Sequence, residues 1–443
     1  MAVHLFEHFT YKKLFKAVFP SICMMIFTSI YSVVDGLFVS NFVGKTAFAA
    51  LNLIFPALMV LGSIGFMMGA GGSALVAKTL GEGDNERANK IFSMVIYFTT
   101  IVGALTSMLG FIFTPQLAKL LGATPEMLPH CVMYGRILMA VNFIFMLQNL
   151  FQNMFIVAEK PILGFMVTVV AGFTNIILDA LFVGAFKWGL AGAAVATSIS
   201  YLVGGALPLV YFLNKKNSSL LRLVRTGFDF KVIGQSMLNG SSELLTNVSA
   251  SIVSMLFNMQ LLKIAGENGV AAYGVIMYLS FVFVAIFIGY AIGVAPITGY
   301  NYGAENHEEL KNVLKKSLIL TVITGVVMTI LTELLSAPLS KIFVGYDADL
   351  LALTTNGMRI YGISFLVCGI NIFASSFFTS LNNGIISGVI SFARTLLFQV
   401  ICILILPALV GVNGIWLSVP IAECMAMIVS IVCLAIKKKK YNY

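Results

Sequence analysis

The chain has 443 residues, 59% of them hydrophobic and only 10% charged, with 39 Gly and 36 Phe. A soluble domain carries roughly 25% charged residues, so these proportions exclude an ordinary soluble enzyme and indicate a polytopic membrane protein. The formal net charge of +9 would suggest a nucleic-acid partner in a soluble chain, but here the positive residues fall between apolar spans, where they set orientation in a bilayer.

About 20 apolar residues cross the hydrocarbon core. On that ruler the chain reads as twelve predicted transmembrane helices, the first six near 14–39, 48–77, 91–114, 129–157, 161–186 and 189–213. No cleavable signal peptide is expected, because a polar segment with His4, Glu7 and His8 leads into a span longer than a signal h-region. A basic segment, 214–231, holds Lys215, Lys216, Arg222 and Arg225. The remaining spans lie near 232–262, 268–302, 313–336, 349–380, 384–409 and 412–436, ahead of Lys437 to Lys440. Spans beyond 25 residues imply tilt, or helix continuing past the bilayer. The expected domains are an N-lobe (1–213), a cytoplasmic linker (214–231) and a C-lobe with its basic tail (232–443).

Lys and Arg distribution orients the chain. Of the 27, most fall in segments on the side of the N-terminus, whereas the other side holds Lys45, Lys119, Lys187, Lys263 and Lys341. Both termini are therefore expected in the cytoplasm. The six cysteines sit in or beside apolar stretches without C-x-x-C spacing, which argues against a disulfide framework or a zinc site.

One ungapped offset of 222 residues relates the halves. It pairs Gly44 with Gly266, Gly71 with Gly293, Gly81 with Gly303, Glu86 with Glu308, Asn149 with Asn371, Gly189 with Gly411 and Gly192 with Gly414. Single Gly matches are cheap in so biased a sequence, but one register persisting through six helices indicates duplication. With an even number of helices per half, both enter from the same side. The expected fold is an all-α polytopic membrane protein of two parallel six-helix repeats, whose two lobes can rock about a central cavity.

The acids within spans are the candidate functional groups. A charged Asp at the centre of a membrane helix costs roughly 2.5 to 3.5 kcal/mol, which function usually explains. Asn175 and Asp179 are four apart and so share a helical face. Asp35, Asp179 and Thr197 share a depth, in the outer half of the first lobe. Carboxylates in low dielectric can trade protons near neutral pH, and together with Asn and Thr oxygens they equally suit a hard cation such as Na⁺. The plain alternative is that each Asp hydrogen-bonds two helices together. The histidines (His4, His8, His130, His307) lie at or beyond span ends, so carboxylates would do any proton work.

In the second lobe Glu243 and Glu423 lie near mid-depth, with Arg394 as the deep cation able to neutralise one of them. A structural ion pair and a role in binding cationic substrate are both open. Glu333 is expected to reach interfacial water. Gly69 to Ala74 satisfies G-x-G-x-x-A, but deep in an apolar span with no βαβ unit; small residues for close helix contact explain it better. Gly44-Lys45-Thr46 lacks the first Gly of a Walker A loop. No ATPase domain is read and no cofactor expected, so the chain is not an enzyme and transport would be gradient-driven. The segments Gly81 to Lys90 and Gly303 to Asn312 read as helix caps and surface turns. Phe145, Met146, Phe151, Met154 and Phe155 crowd the fourth span; such side chains suit a cavity for flat or cationic organics, and equally ordinary core.

Tyr31 to Val39, Asn175 to Phe182 and Gly189 to Thr197 together resemble the multidrug and toxin extrusion (MATE) family, and the likeness covers essentially the whole chain. It looks closest to the MepA-like bacterial branch. The resemblance implies secondary active export of organic, mostly cationic drugs from the cell by alternating access, in antiport with H⁺ or Na⁺, by a monomer in the cell membrane. Its cation site would fall on Tyr31, Asp35, Asn175, Asp179 and Thr197, with Na⁺ at the last four if Na⁺ is the ion. Glu243 matches a family carboxylate on the seventh helix, whereas the tenth, between Ile360 and Thr379, has no acid. That favours the N-lobe for coupling. The expected substrate cavity draws on Glu243, Asn149, Asn153, Met146 and Asn371. The alternative is a flippase for a lipid-linked saccharide or other amphipathic lipid, whose cavity would need more Lys or Arg.

Overall fold

The computed structural model describes residues 4–214 and 216–443; Lys215, one of the linker's basic residues, lies outside them. Among the described residues every regular element is helical. The first half comprises α1 (Tyr11–Phe42), α2 (Lys45–Gly81), α3 (Asn85–Leu120), α4 (Leu128–Val157), α5 (Pro161–Asp179) with a π-helical turn (Ala180–Ala185), and α6 (Gly189–Leu213). The second comprises α7 (Phe230–Gly303), α8 (His307–Val344), α9 (Ala348–Gly362), α10 (Phe365–Ser380), α11 (Gly384–Phe392) with a π-helical turn (Ala393–Leu397), α12 (Phe398–Val410) and α13 (Val412–Tyr441).

Among the described residues ten helical spans are long and apolar enough to cross a membrane, and α9 with α10, bent by 50°, makes an eleventh. The twelfth is hidden in α7, whose 74 residues are broken by Gly266 at φ 63° and ψ −153°. Phe257 and Tyr273 stack 5.1 Å apart across that break, so arms 230–265 and 267–303 fold back on each other. Lipid offers the backbone no partner, which leaves helices as the spanning form. Many hydroxyls inside the spans likewise bond the carbonyl one turn back, as Thr28 does to Met24 (2.9 Å) and Ser198 to Ala194 (2.7 Å).

The 222-residue register reappears in the backbone. Gly44 (φ 93°) and Gly266 (φ 63°), and again Gly189 (φ 60°) and Gly411 (φ 63°), take the left-handed conformation that glycine tolerates. Asp84 caps α3 through Arg87 N and Asn306 caps α8 through Glu309 N, equivalent positions with the same side-chain chemistry. The linker is held against α3, where Asn89 Oδ1 accepts from Arg222 N (2.6 Å) and Ser93 Oγ from Val224 N (2.8 Å).

The two halves meet closely on the face that carries both termini, and glycine makes the approach possible. A Cβ at Gly81 would lie 2.0 Å from the Tyr300 carbonyl oxygen, and one at Gly303 would lie 2.0 Å from that of Lys78. Lys78 and Tyr300 are themselves 222 apart, so each contact is the image of the other. Gly71 lies backbone to backbone with Ser236 and Gly240, while its counterpart Gly293 lies on Val18. Gly81 and Gly303 do end their helices, but their larger role is this crossing. Gly303→Ala is expected to lower stability by about 1–3 kcal/mol through overpacking, seen as a lower melting midpoint of the purified protein.

Candidate functional site

Three helices of the first half each bring two polar side chains to one point, at helical spacing of four. They are Tyr31 and Asp35 on α1, Asn175 and Asp179 on α5, and Thr197 with Tyr201 on α6. Close packing of α5 on α1 sets the distance. Gly172 has no side chain, and a Cβ there would lie 2.9 Å from the Tyr31 ring and 2.5 Å from that of Phe27. Ser200 ties α6 to α5 by donating to the Ala171 carbonyl (2.8 Å).

Within this cluster Asp35 and Asp179 are close neighbours. Asp179 is fully buried, and among the described residues neither of its oxygens has a hydrogen-bond partner; Asp35 Oδ1 is likewise unpartnered there. Asn175 is buried and donates to the Thr197 hydroxyl at 3.5 Å. None of the ion pairs among the described residues involves either Asp. Asp179 is also the last α-helical residue before the π-helical turn Ala180–Ala185, a distortion frequent at functional positions.

Sequence reasoning grouped the five residues that the fold brings together, but missed the tyrosines around them. Tyr134 and Tyr201 stand near both acids or Asp35 alone, and Tyr201 could have been found as the next turn after Thr197. Tyr278, from the second half, reaches across to Gly36: its hydroxyl is 3.0 Å from the place of a Cβ there. No local signal distinguishes that residue from other span aromatics.

The second half holds a different arrangement. Arg394, in the π-helical turn Ala393–Leu397, donates from Nε to Glu423 Oε1 at 2.8 Å. Asn371 donates to Glu423 Oε2 (2.7 Å) and to the Glu423 carbonyl (2.9 Å), while accepting from Ser430 (2.8 Å). The network is buried and every charge in it is met, as a structural ion pair requires. Glu243 lies in the field of Arg394 but outside this network.

The residues expected around a substrate cavity divide accordingly. Asn371 is fully buried and bound to Glu423, and Met146 is fully buried with its backbone against Gly65; both sit in helix packing, because a satisfied charge and a close helix crossing need them there. Asn149 is mostly buried and bonds the Phe145 carbonyl (2.8 Å). Asn153 and Glu243 keep partial exposure. Glu333, expected at interfacial water, is exposed and pairs with Arg359 at 3.2 Å. Among the described residues no group of three or more His, Cys, Asp or Glu forms a metal cluster.

The family profile described as MatE matches residues 20–181 and 244–405. The multidrug export protein MepA of Staphylococcus haemolyticus (strain JCSC1435) is 26% identical over 430 residues, spanning 94% of this chain and 92% of the relative. The probable multidrug resistance protein YoeA of Bacillus subtilis (strain 168) is 26% identical over 342 residues, spanning 73% of this chain and 71% of the relative. A solved structure described as the outward-facing conformation of a multidrug resistance MATE family transporter of the MOP superfamily superposes with a TM-score of 0.92 at 22% identity, covering 98% of this chain and 97% of that one. With both profile segments falling on the two halves of the fold, and the helix motifs resembling the same group, this multi-pass membrane protein belongs to the MatE family.

Proposed function

We propose that this protein exports small organic, mostly cationic compounds across the cell membrane in exchange for H⁺ or Na⁺, by alternating access between an N-lobe and a C-lobe. The observation that carries the reading is the Asp35/Asp179 pair, Asp179 fully buried and Asp35 partly so, two neighbouring carboxyls with no cationic partner among the described residues. Two like charges side by side in low dielectric repel strongly, so the pair holds a proton or a metal cation between them. The names of the relatives, multidrug export protein MepA and multidrug resistance protein YoeA, support drugs as the cargo.

The Lys and Arg distribution makes the face with both termini cytoplasmic. The glycine crossings then close the cytoplasmic side, and the Asp pair lies in the outer half of the N-lobe. Arrival of H⁺ or Na⁺ from outside neutralises the pair, lets α1 and α5 repack against each other, and favours release of drug outward and return to the inward-open form. Arg394, the deep cation that a lipid phosphate would need, is engaged by Glu423, which favours an exporter over a flippase.

Ethidium efflux from proteoliposomes, with Na⁺ and pH gradients imposed separately, tests this. One gradient alone is expected to drive efflux. Efflux indifferent to both gradients would overturn ion coupling.

A further inference from the structure

Residues 4–10, ahead of α1, form a strap across the cytoplasmic face, and the same short pattern binds it twice. His4 donates from Nδ1 to Glu159 Oε2 (2.7 Å) while the next residue's amide, Leu5 N, donates to Oε1 of the same carboxylate (2.9 Å). Four residues on, His8 donates to Glu309 Oε2 (2.6 Å) and Phe9 N to Glu309 Oε1 (2.9 Å). Glu159 lies in the α4–α5 turn of the first half and Glu309 in the first turn of α8 in the second. The apolar partner of each histidine, Leu5 or Phe9, is buried in the core formed by Leu310, Val313 and Phe377. Asn301 donates to the Leu5 carbonyl (3.4 Å), and both Asn312 (3.0 Å) and Lys316 donate to that of Phe9.

The strap thus has both ends held by the first half, its start through Glu159 and its end by continuing into α1, while Leu5 and Phe9 are seated in the second half. Separation of the halves on this face has to draw Leu5 and Phe9 from their seat or release Glu159. We propose that residues 4–10 are a latch on the cytoplasmic gate, with His4–Glu159 and His8–Glu309 as its two fastenings. The latch biases the transporter toward the form closed to the cytoplasm. The glycine crossings set how closely the halves meet; the latch sets how readily they part. This rests on the two-lobed, alternating-access reading above.

The test uses the full chain in lipid nanodiscs, with spin labels on Cys substituted for Glu86 and Glu308, both exposed and equivalent in the two halves, in a background lacking the native cysteines. Pulsed dipolar spectroscopy reads the distance between them over a range of pH and Na⁺ concentration, with and without ethidium. The parent protein, with its latch intact, is expected to show a short and a long population. His8→Ala and Glu309→Gln should each raise the ratio of long to short by about threefold or more, a shift within reach of losing one charge-assisted hydrogen bond. Glu159→Gln, at the other fastening, should move it the same way, so a folding failure at the buried Glu309 leaves the question answerable. Two populations whose ratio none of these substitutions changes would overturn the latch alone. A single distance in the parent protein under all conditions would overturn alternating access and the latch with it.

Discussion

Asp179→Asn is expected to reduce gradient-driven dye efflux to the rate of protein-free vesicles, while the purified protein stays folded. The amide is nearly isosteric with the acid, so the packing of α5 against α1 and α6 survives. What disappears is the exchangeable charge. Among the described residues both Asp179 oxygens are buried without a partner, and an uncompensated buried charge costs several kcal/mol, so its removal does not destabilise the fold; the melting midpoint should hold or rise. Asp35→Asn should behave alike, because either substitution leaves one carboxyl where the proposed exchange uses two. Melting and efflux measured on the same preparations separate loss of coupling from loss of fold. Retention of wild-type efflux in either variant would remove the pair from the mechanism.

Arg394→Met should be the most destabilising of the substitutions considered, by about 3–5 kcal/mol. It leaves the Glu423 carboxylate, with only 4% of its side chain exposed, facing a neutral side chain, and the amide of Asn371 cannot balance a full charge. The second change, Glu423→Leu in the same chain, is expected to recover most of the loss, because apolar replacement of a whole buried pair is often neutral or better. Melting midpoints of the two single variants and the double give the coupling between the residues. If Arg394→Met melts with the wild type, the ion pair does not fasten α11, α10 and α13 together, and Arg394 returns as a candidate for ligand binding.

How much of this was legible beforehand depended on whether the information is local. Span number and order follow from apolar length, and the break in α7 falls at Gly266, which the repeat had matched to the loop glycine Gly44. The spacing of Asn175 and Asp179 fixed one face of α5, and shared depth found Asp35 and Thr197. Contacts across helices were not legible. Tyr278 is one aromatic among many until α1 is laid beside it, and Gly81 reads as a helix end until Tyr300 is found against it. Asn371 looked available for substrate because the sequence does not reveal that Glu423 already holds it. The two π-helical turns were also invisible: one extra residue per turn leaves no residue type behind, and although both interrupt the fifth span of their half they fall at different places along it, after Asp179 in one and around Arg394 in the other. A duplicated scaffold has been distorted separately in each copy beside its buried charge.

The glycine crossings have an energetic consequence for the whole cycle. Where backbone meets backbone without side chains, attraction comes from dispersion and from Cα–H···O contacts, worth perhaps 0.5–1 kcal/mol each. Gly71, Gly81 and Gly303 therefore supply a closure of only a few kcal/mol. One elementary charge moved through about 100 mV delivers roughly 2.3 kcal/mol. The glycine part of the gate, held by such weak and salt-insensitive contacts, is matched to the work that a single ion can do in the proposed exchange, so a larger side chain at these positions would put it and the driving ion out of scale.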